Sequence, residues 1–144
     1  AKLAHARSLG AEQTINYTTE DWIGRVRELT GKAGVDVVFE NVGADTWTGS
    51  LRSLAKGGRL VTCGATSGPI VESDLRLVFF KNLSILGSTM GSLGEMQHIW
   101  RMVEQERVGP VIDRTFPISA IREAHQHMES RQQFGKVVLT HDWD

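Results

Sequence analysis

Residues 57–68 read GGRLVTCGATSG, an apolar run held between two glycine clusters and lacking any obvious catalytic group. Leu60 to Cys63 is short and apolar, with Gly57-Gly58 before it and Gly64 after it, so the pattern predicts a buried strand that includes Cys63. In an open α/β sheet, ligands bind in the crevice beyond the carboxyl ends of the strands. Glycine at such an end lets a flat ligand lie against main chain without meeting a Cβ. The stretch therefore predicts a ligand platform, although a glycine-rich turn without a ligand gives the same pattern.

Outward from this stretch, helix and strand signals alternate. Upstream, ADTWTGSLRSLAKGG (44–58) places Trp47, Leu51, Leu54 and Ala55 on one stripe of a predicted helix. VDVVFE (35–40) carries Val37, Val38 and Phe39 in a row, as expected of a parallel strand covered on both faces. TTEDWIGRVRELTG (18–31) predicts a helix opened by a capping-box spacing of Thr18 and Asp21 and stopped by Gly31. QTINY (13–17) predicts a short strand, and Leu3, Ala6 and Leu9 mark a helix ending at Gly10. Because the chain opens partway through that helix without Met, a longer parent polypeptide is expected.

Downstream, SDLRLVFFKN (73–82) predicts a short helix and LSILG (83–87) a strand. Ser92 and Glu95 have capping-box spacing before a helix faced by Met96, Ile99, Trp100 and Val103. VIDRTFP (111–117), SAIREAHQHMESRQ (119–132) and GKVVLT (135–140) predict a strand, a helix and a last strand. The β-α repetition with short loops predicts an α/β fold, a doubly wound parallel sheet with helices on both faces. Residues 1–110 form the expected principal domain and 111–144 a strand-helix-strand segment returning toward a neighbouring one.

The bulk numbers narrow the function. Sixteen Lys and Arg against 17 Asp and Glu, with no long run of either sign, leave no footprint for nucleic acid or an anionic membrane. No apolar stretch approaches the ~18 residues of a membrane span. The single cysteine cannot form an internal disulfide, which fits a reducing, cytoplasmic setting. His125 and His127 are two apart and so on different helix faces, and no metal site is expected within the chain. Asp36 and Glu40 flank a strand but make no convincing acid/base pair.

Five stretches together, KLAHARSLGAEQTINY, GVDVVFENVG, LRSLAKGGRLVTCGATSG, FFKNLSILGSTMGS and FGKVVLT, resemble the medium-chain dehydrogenase/reductase superfamily. The likeness is to its zinc-binding dehydrogenase and quinone oxidoreductase branches and covers nearly the whole chain. It implies a Rossmann-like cofactor domain lacking its first βαβ portion, with strand order 3-2-1-4-5-6. In that order residues 13–17 are third and VDVVFE fourth. The G-x-G-x-x-G turn, the catalytic residues and any zinc would lie before Ala1, in a polypeptide using NAD or NADP.

The resemblance further implies site residues, each with a plainer reading beside it. Asn41, Val42 and Gly43 would lie against the adenosine and ribose, or simply form a tight strand-to-helix turn. Gly64, Ala65 and Thr66 would pass beside the nicotinamide ribose, or Thr66 and Ser67 would be ordinary turn residues. Backbone at Ser88, Thr89 and Met90 would hydrogen-bond the carboxamide and fix the ring face presented, or be a small-residue loop after an edge strand. Tyr17 would sit at the adenine end and Lys136 near the phosphates; both also suit exposed surface positions. The implied activity is hydride transfer between nicotinamide and an alcohol, quinone or activated alkene, on a small-molecule substrate. The chain by itself is expected to be inactive, and the strand 83–87 is expected to pair with its copy in a homodimer. Two alternatives share these strand-glycine patterns: an S-adenosylmethionine-dependent methyltransferase and a non-catalytic interaction module.

Overall fold

The structure is a computed structural model that describes residues 1–141. It divides into two compact units, Gln13–Met90 and Ala1–Glu12 with Gly91 onward. The first unit holds a parallel three-stranded sheet in the order β1-β2-β3, where β1 is Val35–Glu40, β2 Leu54–Thr62 and β3 Ser84–Gly87. Parallel neighbours need a crossover rather than a hairpin. Helix α3 (Trp47–Ser53) connects β1 to β2, and α4 (Leu75–Lys81) lies between β2 and β3.

The register sets Val38, Leu60 and Ile85 side by side on one face, and Phe39, Val61 and Leu86 on the other. The first face is the core side. Leu51, Leu54 and Leu60 are fully buried there, with Val35, Val38, Trp47, Leu77 and Leu83 packed around them. Helix α2 (Trp22–Leu29) lays the Trp22 ring against α3 at Gly49, so close that a Cβ at residue 49 would collide with the indole. Asn82, in the left-handed region at φ 52°, ends α4 and turns the chain into β3.

In the second unit, β4 (Ile112–Pro117) and β5 (Lys136–Thr140) form a parallel pair in which Arg114 faces Val137 and Phe116 faces Leu139. A short 3₁₀ turn (Ile118–Ala120) and α6 (Ile121–Glu129) make the crossover. Helix α1 (Lys2–Ser8) joins this unit: Lys2 Nζ donates to the Arg131 carbonyl at 2.6 Å, and the His5 ring stacks on Phe134 at 4.2 Å. Helix α5 (Leu93–Glu104) opens with the expected capping box, Ser92 and Glu95 each bonding the other's backbone N–H.

Several expectations need correction. Residues 13–17 are not a strand, because neither they nor the free edge of β1 finds a ladder partner in the other. Asn16 turns the chain instead, its Oδ1 accepting from the Thr18 amide (3.2 Å) and hydroxyl (2.7 Å). With Thr18 so engaged, Asp21 caps α2 by accepting from the Gly24 amide at 3.0 Å. Helix α3 stops at Ser53, so Leu54 and Ala55 belong to β2, where Leu54 enters the core as a strand residue. Lys81 Nζ takes the carbonyls of Arg52 (2.8 Å) and Leu54 (2.7 Å), groups the helix leaves without partners at its end. Cys63 lies past the end of β2 and is exposed. Nor is β1 covered on both faces, for Val37 and Phe39 remain 52% and 69% exposed.

Candidate functional site

The three parallel strands of the first unit end together. The Cys63 amide donates to the Glu40 carbonyl at 3.0 Å, and the Ser88 amide donates to the Thr62 carbonyl at 2.9 Å. The loops that follow β1, β2 and β3 therefore start side by side at the carboxyl edge of the sheet, where an open α/β sheet binds its ligands.

Loops 41–43 and 64–68 are clasped to each other. Thr66 Oγ1 donates to the Asn41 carbonyl at 3.1 Å. The Ser67 amide (2.7 Å) and hydroxyl (2.8 Å) both reach the Val42 carbonyl, and Ser67 Oγ accepts from the Asp45 amide at 3.0 Å. Gly43, at φ +94°, permits the crossing: a Cβ there would stand 2.6 Å from the Gly68 carbonyl oxygen and 3.0 Å from Ala65 Cα. Gly64 is nearly as tight, with the Asn41 carbonyl oxygen 3.1 Å from where its Cβ would be.

Beneath the first loop lies Glu40, which is only 3% exposed. Its Oε1 accepts from the amides of Val42 (2.8 Å) and Gly43 (3.1 Å). Thr46 Oγ1 stands 2.9 Å from both carboxylate oxygens, and Ser50 Oγ donates to Oε2 at 2.5 Å. No cation pairs with this carboxylate among the described residues. Burial pushes its pKa up, but the donors from Ser50, Gly43, Val42 and Thr46 together outweigh burial and hold it below the usual value. The carboxylate is thus charged at neutral pH and is held as an internal anion between loop 41–43 and the hydroxyls of Thr46 and Ser50.

Beside this arrangement opens a cleft of about 230 Å³, walled by Ile15, Tyr17, Trp22 and Phe39, with Asn41 and Val42 at its rim and Glu40, Thr46 and Ser50 completing its lining. Of the expected site residues, Tyr17, Asn41 and Val42 line this cleft, and Gly43, Gly64, Ala65 and Thr66 build the adjoining loop crossing. Ser88 follows β3 at the same edge, Thr89 continues that loop and Met90 is almost fully exposed. Lys136 stands in the second unit at the start of β5, where its amide donates to the Val111 carbonyl at 2.8 Å. Glu40 was not expected as a site residue. A signal for it was present: a carboxylate at the end of an apolar strand, followed by hydroxyls at 46 and 50, one helical turn apart.

The second unit holds another arrangement that the sequence did not disclose. Asp113 Oδ2 lies 2.7 Å from His127 Nε2, and its Oδ1 accepts from the Phe134 amide at 2.9 Å. No group of three His, Cys, Asp or Glu side chains suited to a metal ion exists among the described residues. No described helix is long and apolar enough to cross a membrane.

The pattern describing zinc-binding dehydrogenases matches residues 9–139. A 2-haloacrylate reductase of Burkholderia sp is 33% identical over 96% of this chain and 44% of its own length. Quinone oxidoreductase-like protein 2 of Bos taurus is 30% identical over 94% of this chain and 41% of its own. Among solved structures, an NAD-dependent alcohol dehydrogenase superposes with a TM-score of 0.86 at 43% identity, over 96% of this chain and 40% of that one. The chain thus spans less than half the length of the relatives it matches.

Proposed function

The chain belongs to the zinc-binding dehydrogenase family of the medium-chain superfamily, and from that premise we propose that it forms part of the nicotinamide-dinucleotide site of an oxidoreductase. The reaction is hydride transfer between nicotinamide and an alcohol, quinone or activated alkene. One observation supports this most directly: three parallel strands end together in close-packed loops beside an aromatic cleft, within a fold shared with an NAD-dependent alcohol dehydrogenase.

The residues fit such a cofactor. Gly43 and Gly64 let loops 41–43 and 64–68 pack against each other beside the cleft, and the walls of Tyr17, Trp22 and Phe39 suit an uncharged heterocycle. The buried negative charge of Glu40 in the cleft's lining disfavours a phosphate there, which supports the adenosine portion as its occupant. In the assignment we propose, Asn41, Val42 and Gly43 meet adenosine and its ribose, with Tyr17 at the adenine. Gly64, Ala65 and Thr66 pass the nicotinamide ribose. Backbone at Ser88, Thr89 and Met90 orients the carboxamide, and Lys136 serves the phosphates. When bound, the dinucleotide supplies the hydride; these residues bind it and set which face of the ring is offered.

The division into a dinucleotide-binding part (1–110) and a return segment (111–144) belongs to the same proposal, as do a cytoplasmic location, NAD or NADP as cofactor, and any zinc being held outside this chain. So does a homodimer formed through β3, a sheet-edge strand with Ile85 and Leu86 half-exposed.

The test uses the whole polypeptide that carries these residues. Purified protein is titrated with NADH, NADPH and S-adenosylmethionine, then assayed for oxidation of the reduced nicotinamide with quinone, enone and aldehyde acceptors. Saturable dinucleotide binding with turnover on one acceptor class is the expected result. Binding of S-adenosylmethionine alone would transfer the reading to a methyltransferase.

A further inference from the structure

We propose that Glu40 is the positioning residue of this site: by holding the Val42 and Gly43 amides inward, its carboxylate sets the conformation in which residues 41–43 meet the dinucleotide. This rests on the dinucleotide reading above and names the group that makes the loop competent for it.

The geometry supports an indirect role rather than contact chemistry. Glu40 is buried, and the amides of Val42 and Gly43 and the hydroxyls of Thr46 and Ser50 converge on it. An amide drawn inward leaves its peptide plane little freedom. With the Val42 and Gly43 amides drawn to Glu40, the preceding carbonyls, those of Asn41 and Val42, take partners in the neighbouring loop, Thr66 and Ser67. The two sets of bonds fix consecutive peptide planes from opposite sides. A flat ligand lying on this backbone then meets a surface prepared before binding, which spares the ordering cost that a mobile loop would impose.

Glu40 also sets the charge beneath the loop: its buried carboxylate already takes the Val42 and Gly43 amides, which are thereby withheld from an external anion. Loss of the carboxylate therefore changes both the shape of the loop and the charge beneath it.

The experiment compares the parent polypeptide with Glu40→Met, which keeps the volume and removes both acceptor oxygens, and Glu40→Gln, which keeps one. For Glu40→Met the dinucleotide KM is expected to rise roughly tenfold, while kcat per folded molecule and the KM of the second substrate stay within about twofold. Glu40→Gln is expected to recover part of the loss, because its carbonyl oxygen can still accept from both amides. A dinucleotide KM in Glu40→Met equal to the parent's overturns the proposal, and so does an equal loss in every kinetic parameter. If Glu40→Met does not fold, Thr46→Val carries the test: it removes one donor to the carboxylate, and an unchanged dinucleotide KM is then the overturning result. A parent that binds no dinucleotide refutes the proposed function, whereas a parent that binds and variants that bind equally well refute only the role of Glu40.

Discussion

Glu40 and Asp113 are two acidic side chains that tie a strand to a helix and a loop, one in each unit. Glu40 closes β1 onto loop 41–43 and α3 using only uncharged donors. Asp113 closes β4 onto α6 and the 131–135 segment through the His127 ring and the Phe134 amide. The first carboxylate is buried, while the second keeps about a fifth of its side-chain surface open to water. A charge removed from water must have every lone pair met by a fixed donor, and a half-open one can rely on solvent for the remainder. The same residue chemistry therefore makes a rigid joint in one unit and a tolerant one in the other.

The largest test of that contrast is the stability of Glu40→Met. It leaves two amides and two hydroxyls without their acceptor in the interior, and a loss of about 3 kcal/mol is expected from denaturant unfolding. A loss well below that would show that water replaces the carboxylate and that the joint is tolerant after all. Next in size is Gly43→Ala, which puts a methyl against the Gly68 carbonyl at a left-handed φ and should cost about 2 kcal/mol. A neutral result would mean that the two loops are free to part.

Acidification sharpens the comparison by the smallest effect. Glu40 lies below its usual pKa because its hydrogen bonds outweigh burial, and Asp113 lies below its own because of the Phe134 amide and then His127. A pKa depressed in the folded state contributes stability that is full above the unfolded values of about 4.3 for Glu and 3.9 for Asp. That stability is lost as pH falls through the lower folded value. Between about pH 5 and 3 the urea midpoint of the parent should therefore fall. Asp113→Asn should fall nearly as far as the parent, and Glu40→Met noticeably less. Equal slopes for all three proteins would place the acid lability elsewhere.

The same contrast explains what could be read from the sequence. Contiguous apolar runs located β1, β2 and β3, and local pairs such as Ser92 and Glu95 located a helix start, because those signals sit within a few residues of one another. The fold family was legible from five such stretches in order. Residues 13–17 misled because β-propensity says nothing about whether a partner strand is at hand, and the Asn16 turn was the stronger local device. Leu54 misled because 3.6-residue spacing continues from α3 into the strand that follows it. At the site, the glycines were legible as bare backbone. The burial of Glu40 was not, since a charged residue ending an apolar strand reads as solvated unless its later donors at 46 and 50 are brought back to it by the helix. Asp113 and His127 were hidden for the same reason, since they stand 14 positions apart in the chain.

The loop clasp has a consequence for how the protein assembles in time. The bonds to the Glu40 carboxylate span 2 to 10 residues, whereas those joining loop 41–45 to Thr66 and Ser67 span 22 to 25. Short closures cost less chain entropy than long ones and form sooner. The strand-loop-helix corner around Glu40 is thus expected in the folding transition state. The clasp comes afterwards, when β2 has docked on β1. In a φ-value comparison Thr46 should approach one and Ser67 zero, so that damage at the corner slows folding while damage at the clasp hastens unfolding.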